Sequence, residues 1–246
     1  MKCKNFKCPK ENVSPSSALR AASPLKGEAV RRADEGGAFI QTHFVLKSNL
    51  YCNYQENIVG INSELEKISN NVLKLKEKTQ IIEAIAKLWI DAISQGNKVI
   101  FCGNGGSAAD SQHLAAELMG KYKLDRKPLP AYSLTCNTSS LTAIGNDYGA
   151  EFIFSRPLEA IGQKGDVLVG ISTSGNSKNV IEAFKIAKEN GIKTVAFVGK
   201  NGGELRKFSD ITLDVPSDIT NNIQELHIIA GHIICERVEE YFYKNS

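Results

Sequence analysis

The amino-acid sequence predicts an α/β domain in which a parallel β-sheet is covered by helices on both faces. From about residue 98 onward, five short apolar runs alternate with stretches of helical periodicity, the pattern of successive βαβ units. The runs are apolar along their length rather than at every second residue, which marks strands buried on both faces. Two of them lead straight into Gly- or Ser-rich segments that open the next helix, the position where open α/β sheets bind ligands.

Taken in order, residues 1–48 lack a sustained hydrophobic period and include "NVSPSSALRAASPLKGEA"; this composition predicts a disordered extension, with the domain spanning 49–246. Two amphipathic helices come next, "NIVGINSELEKISNNVLKLKEKT" and "QIIEAIAKLWIDAISQG", the second closing at a Gly suited to a helix C-terminus. The strands are read at "KVIFCG", "PAYSLT", "DVLVGIS", "KTVAFVG" and "DITLDV", with helices near 107–120, 138–145, 151–161, 177–190 and 220–243. No internal repeat of about 20–50 residues is present, which excludes a solenoid.

Bulk properties narrow the function classes. Of 246 residues, 42% are hydrophobic and 23% charged, an ordinary balance for a globular chain with a sizeable core. The formal charge of +3 belongs to the tail: residues 1–48 hold nine Lys/Arg against four Asp/Glu, leaving 21 against 23 for the rest. A slightly acidic body without a basic stripe argues against a nucleic-acid partner. Cys3, Cys8, Cys52, Cys102, Cys136 and Cys235 are irregularly spaced, as expected of reduced thiols in a cytoplasmic protein. No apolar run approaches the roughly 18 residues of a membrane span, and charges occupy the place of a signal peptide's apolar core.

Chemistry concentrates in four places. Gly103-Asn104-Gly105-Gly106-Ser107 joins a strand to a helix; glycines let the backbone approach an anion, and the helix N-terminus favours negative charge. The segment fits neither GxGxxG nor GxxxxGK[ST], against a dinucleotide or nucleoside triphosphate. Ser172-Thr173-Ser174-Gly175-Asn176-Ser177 repeats the arrangement after a later strand and offers hydroxyl donors for a phosphate without an Arg clamp. His113 and Glu117 lie four apart on one helix face, suited to a metal pair or to acid–base work. Gln224, His227 and His232 lie on the last helix among Ile and Leu, as ligands or as satisfied core histidines.

Together "CGNGGSAADSQHLAAEL", "AIGNDYG", "ISTSGNSKNVIEA" and "IQELHIIAGH", in this order, resemble the SIS (sugar isomerase) family and its phosphoheptose isomerase branch, over about 50–243. The resemblance implies a five-stranded parallel sheet of flavodoxin-like topology and a homotetramer with active sites at subunit interfaces. It implies conversion of sedoheptulose 7-phosphate into D-glycero-D-manno-heptose 7-phosphate for bacterial surface polysaccharide. By motif, Asn104, Gly105, Gly106, Asn146, Asp147, Ser172, Thr173, Ser174, Ser177 and Gln224 would contact substrate. His113, Glu117, Gln224 and His232 match the family's divalent metal ligands, usually zinc, although Gln is an uncommon zinc ligand. Aldose–ketose isomerisation needs a base near C1/C2 and an acid near the carbonyl, roles assigned to Glu117 and His232.

The chain departs from the family pattern at Asn222, where Arg is usual, at Asn221, where Asp often stands, and at Lys121, which replaces a frequent Arg and loses its planar fork. Two alternatives stay open: a non-catalytic SIS protein that binds the bacterial replication initiator, whose branch lacks the acid–base pair, and an isomerase for another phosphosugar, since fold does not set substrate.

Overall fold

The computed structural model describes residues 60–245; the disordered extension expected over 1–48 and the domain start at 49 lie outside the described residues. Helix α1 occupies 60–74 and passes through a 3-10 turn, Leu75–Lys78, into α2, Thr79–Ser94. The two expected helices are therefore joined without a loop, because neither Gly nor Pro separates them and buried Leu75 pins the tightened turn to the core. Helix α2 buries Ile82, Ile85, Ala86, Trp89, Ala92 and Ile93, the stripe its spacing predicts, and Gly96 follows its end at φ 82°.

The strands are β1 (Val99–Gly103), β2 (Ala131–Ser133), β3 (Val167–Ser172), β4 (Lys193–Val198) and β5 (Ile211–Asp214). They form one sheet of order β2-β1-β3-β4-β5 with every pairing parallel, the flavodoxin-like order. Alternation along the strands divides the core in two. Val99, Phe101, Val169 and Phe197 face α2, α3 (Gly106–Met119) and α7 (Thr220–Lys244); Trp89 meets Phe101 edge to face at 5.3 Å. Ile100, Cys102, Leu168 and Ala196 face α5 (Ser155–Ile161) and α6 (Lys178–Glu189). The strands are buried on both sides because crossover helices cover both faces.

Helix α4 spans Thr138–Asp147, capped by the Asn137 side chain, which accepts from Ser140 N–H at 3.0 Å. The helix expected over 151–161 is broken into a 3-10 turn, Ala150–Phe152, and α5. Pro157 is the reason: lacking an N–H, it is tolerated in a first turn and not deeper, so the α-helix begins at Ser155. Cys102 and Cys235 are free and buried, and burial pushes both thiols up, which makes them poor nucleophiles. Among the described residues no helix is long and apolar enough to cross a membrane.

Candidate active site

The sheet order reverses between β1 and β3, and the crevice beyond their C-terminal ends is where such sheets hold ligands. The two loops singled out in the sequence both begin there. Gly105 is the N-cap of α3 at φ 57°, ψ −122°, with no side-chain cap, a conformation that favours Gly. Ser177 is the N-cap of α6, yet its hydroxyl does not cap the helix; it pairs instead with Ser172 Oγ at 2.9 Å. Among the described residues the first N–H groups of α6, on Lys178 and Asn179, have no backbone partner, so this helix end is ready for an anion.

Ser174 Oγ accepts from Asn176 N–H at 3.1 Å, and Asn176 Oδ1 accepts from Glu204 N–H at 2.9 Å, which fixes the Ser-rich loop against the segment after β4. Thr173 and Ser174 line a groove on that side with Lys200 and Ser217. The groove at the β1/β3 reversal is lined by Asn104, Glu151, Ser177, Lys178 and Asn179.

Asn179 ties the two loops together. Its amide exchanges both hydrogen bonds with that of Asn104, 2.9 Å each way. Sequence reasoning missed Asn179 and Glu151; a polar residue in the first turn of α6 and an acid just after the "AIGNDYG" segment were the available signals. Asn146 and Asp147 lie at the end of α4, exposed and hydrogen-bonded to each other at 2.8 Å. The residues of their segment that line the groove are Ala150 and Glu151.

Helices α3 and α7 run side by side in parallel. Gly106 abuts the Gln224 amide, Leu114 packs on Gly231, and His113 meets His232, a nearly constant offset in sequence. A Cβ at Gly106 would come 2.5 Å from Gln224 Nε2, so glycine there admits the amide. This register places Gln224 beside the first loop and His232 beside His113, about 12 Å further along α7 at 1.5 Å per residue.

His113 Nε2 lies 2.8 Å from His232 Nε2 and 3.2 Å from Glu117 Oε1. The ligand atoms of His113, Glu117 and His232 all fall within 4.8 Å of one another. Two imidazoles and a carboxylate suit zinc, which takes such sets with an open fourth position when catalytic. Three of the four expected ligands thus converge, while Gln224 turns to Gly106. The Tyr122 ring stacks on His232 at 5.6 Å. Burial, with the charge of His113, holds the His232 pKa below the ordinary histidine value against the pull of Glu117. Asp110, one turn before His113, was also missed by the sequence reading. Burial pushes its carboxyl up to about 6, opposed by His113, and among the described residues its buried Oδ2 has no hydrogen-bond partner.

Of the atypical residues, Asn221 is exposed. Asn222 is buried, donates to Glu225 Oε2 at 3.1 Å, and opens on a groove with Lys67, Lys74 and Lys200.

The SIS domain family model matches residues 64–199. A phosphoheptose isomerase of Akkermansia muciniphila is 52% identical over 183 residues, 74% of this chain and 97% of the relative. The structure of a phosphoheptose isomerase from Francisella tularensis superposes with a TM-score of 0.73 at 34% identity, covering 75% of this chain and 98% of that one. The phosphoheptose isomerase GmhA from Neisseria gonorrhoeae gives 0.69 at 41% identity, covering 76% and 99%. The chain belongs to the SIS-domain family, in its phosphoheptose isomerase branch.

Proposed function

We propose that the chain is a cytoplasmic phosphoheptose isomerase that converts sedoheptulose 7-phosphate into D-glycero-D-manno-heptose 7-phosphate for bacterial surface polysaccharide, with its catalytic domain in 49–246. The observation that carries the reading is the parallel register of α3 and α7, which sets an acid–base pair downstream of two anion-ready loops. The open N-terminus of α6, with Ser172, Thr173, Ser174 and Ser177 around it, takes the phosphate. Asn104, Gly105, Gly106 and Gln224 hold the sugar along α3, with Asn146 and Asp147 at its far side.

Glu117 removes the proton from one carbon of the C1/C2 pair and returns it to the other through an enediol. His232 donates a ring N–H toward the carbonyl oxygen, a role open to a neutral imidazole, and the proton that oxygen gains is made up by the one the neighbouring hydroxyl releases as the new carbonyl forms. His113, Glu117 and His232 would hold zinc, without Gln224, whose amide lies against Gly106; when bound, the ion would polarise the substrate oxygens.

A homotetramer with sites at subunit interfaces is supported by the exposed apolar side chains of Ile61, Leu65 and Leu73 on α1, and of Met119, Ile233 and Tyr241 on α3 and α7. Light scattering is expected to give four 26.8 kDa chains per particle. A monomer would sink the interface assignment.

The direct test is turnover of sedoheptulose 7-phosphate followed by NMR of the anomeric protons, before and after chelation and with zinc restored. Product is expected with zinc and its loss on chelation; no turnover in either state would point to a different phosphosugar. Asn179→Ala, which removes two hydrogen bonds between the loops, is expected to raise KM about five- to tenfold, the equivalent of roughly one net hydrogen bond. An unchanged KM would show that the loops hold position without this pair.

A further inference from the structure

We propose that Arg126 and Glu239 form a positioning clamp that sets Glu117 and His232 relative to one another, a role that rests on the isomerase reading above. Both side chains are 1% exposed. Arg126 closes the C-terminal end of α3: Nη2 donates to the carbonyl of Glu117 itself at 2.9 Å, and Nη1 to those of Leu118 at 2.8 Å and Gly120 at 3.1 Å. The last carbonyls of a helix have no partner within it. Gly120, at φ −92°, does not take the left-handed conformation that commonly supplies one, so the guanidinium does so.

Glu239 lies on α7 seven residues beyond His232, on the same helix face. Its carboxylate accepts the N–H groups of Tyr122 at 3.0 Å, Lys123 at 2.7 Å and Leu124 at 2.9 Å. That grip fixes the segment carrying Tyr122, whose ring stacks on His232 at 28° between planes. The two charges face each other at 3.4 Å between Arg126 Nε and Glu239 Oε1, and among the described residues that nitrogen makes no hydrogen bond. The pair balances charge while each partner's hydrogen bonds go to backbone. A bridge serving stability alone has no need to seize the carbonyl of Glu117 at one end and the shelf beneath His232 at the other. Because the two proton-transfer groups sit on different helices, this clamp adds to the Leu114–Gly231 packing a fixed link at the end of α3 that carries Glu117.

The test compares Tyr122→Ala, Tyr122→Phe and Glu239→Gln with the parent protein. It measures kcat and KM for sedoheptulose 7-phosphate, thermal melting, and the ring-current shift of His232 protons in chelated, 13C-histidine-labelled protein. Tyr122 is only half-buried, so its variants are expected to fold. Tyr122→Ala should lower kcat about 10- to 100-fold, the scale of a small misplacement of reacting groups, with KM and melting unchanged, and Tyr122→Phe should restore it. Glu239→Gln should lower kcat and abolish the Tyr122-induced shift at His232. Parental kcat in Tyr122→Ala, or an unaltered His232 shift in Glu239→Gln, would overturn the clamp. If the parent fails to turn over sedoheptulose 7-phosphate, that substrate assignment falls, and the His232 shift in Glu239→Gln alone decides the clamp: its loss upholds it and its persistence refutes it.

Discussion

Glu117→Gln is expected to lower turnover of sedoheptulose 7-phosphate about 10²- to 10⁴-fold, the usual contribution of a general acid or base, while the protein folds and assembles as before. Amide and carboxylate have nearly the same volume. The Glu117 side chain is 20% exposed, 3.2 Å from His113 and within 4.8 Å of His232, so little packing depends on its charge. The position of α3 is held by Leu114, Ala115 and Leu118 in the core and by contacts to the backbone, none of which the substitution touches. Phosphate protection against thermal unfolding should survive, because the Ser-rich loop lies on other elements. Retention of more than about a tenth of the activity would remove Glu117 from the role of base. Asp110→Asn is the necessary comparison, since Asp110 shares that helix face and its carboxyl is pushed up to about 6, nearer the pH at which a base works best. A small loss in Glu117→Gln beside a large one in Asp110→Asn would transfer the base to Asp110. Zinc content measured on both proteins separates loss of a ligand from loss of a proton acceptor.

The sheet was legible because its strands are local objects. "VIFC" and "DVLVGI" are too short for helices, too apolar for loops, and bounded by Gly or Asp, so burial on both faces follows from the run itself. The anion-ready helix ends were legible for the same reason: strand, Gly or Ser turn and helix are contiguous in the chain. What escaped depends on residues far apart in sequence. Asn179 becomes a site residue only when β1 and β3 pair and bring it to Asn104, 75 positions away. Arg126 in "LDRKP" and Glu239 in "RVEEY" have no local signal of burial, because they are buried against each other only when α7 packs along α3. Gln224 and His232 share a helix, and only the register with Gly106 and His113 separates the loop end of that helix from the cluster end. Pro157, by contrast, was a local signal whose consequence, a helix start delayed to Ser155, is plain once its missing N–H is confined to a first turn.

Acidification supplies the second large effect, through a histidine outside the proposed chemistry. His227 is fully buried, packed at 5.8 Å from Phe197, and among the described residues neither ring nitrogen makes a well-formed hydrogen bond, although the Val198 backbone stands close enough to favour the charged ring. Burial lowers its pKa from the ordinary 6.5 to about 4, against the opposing influence of the Val198 backbone. Above pH 6.5 the ring is neutral in both the folded and unfolded chain, and its titration costs nothing. Between pH 6.5 and about 4 the unfolded chain binds the proton and the folded chain does not, so stability falls as pH falls, by about 3 kcal/mol across the window. Asp110 works in the opposite sense, because its raised pKa favours the folded state at low pH; His232, lowered like His227, works in the same sense. Both cancel in the difference between the parent and His227→Leu. Urea denaturation at fixed protein concentration should therefore show the parent losing about 3 kcal/mol more than the variant between pH 6.5 and 4. At pH 7 the variant is expected to match or exceed the parent, since two poorly satisfied buried nitrogens are replaced by apolar volume. Parallel pH curves would mean that the protonated ring finds a partner in the folded state, and the packing of α7 against β4 would then have to open in acid to provide it.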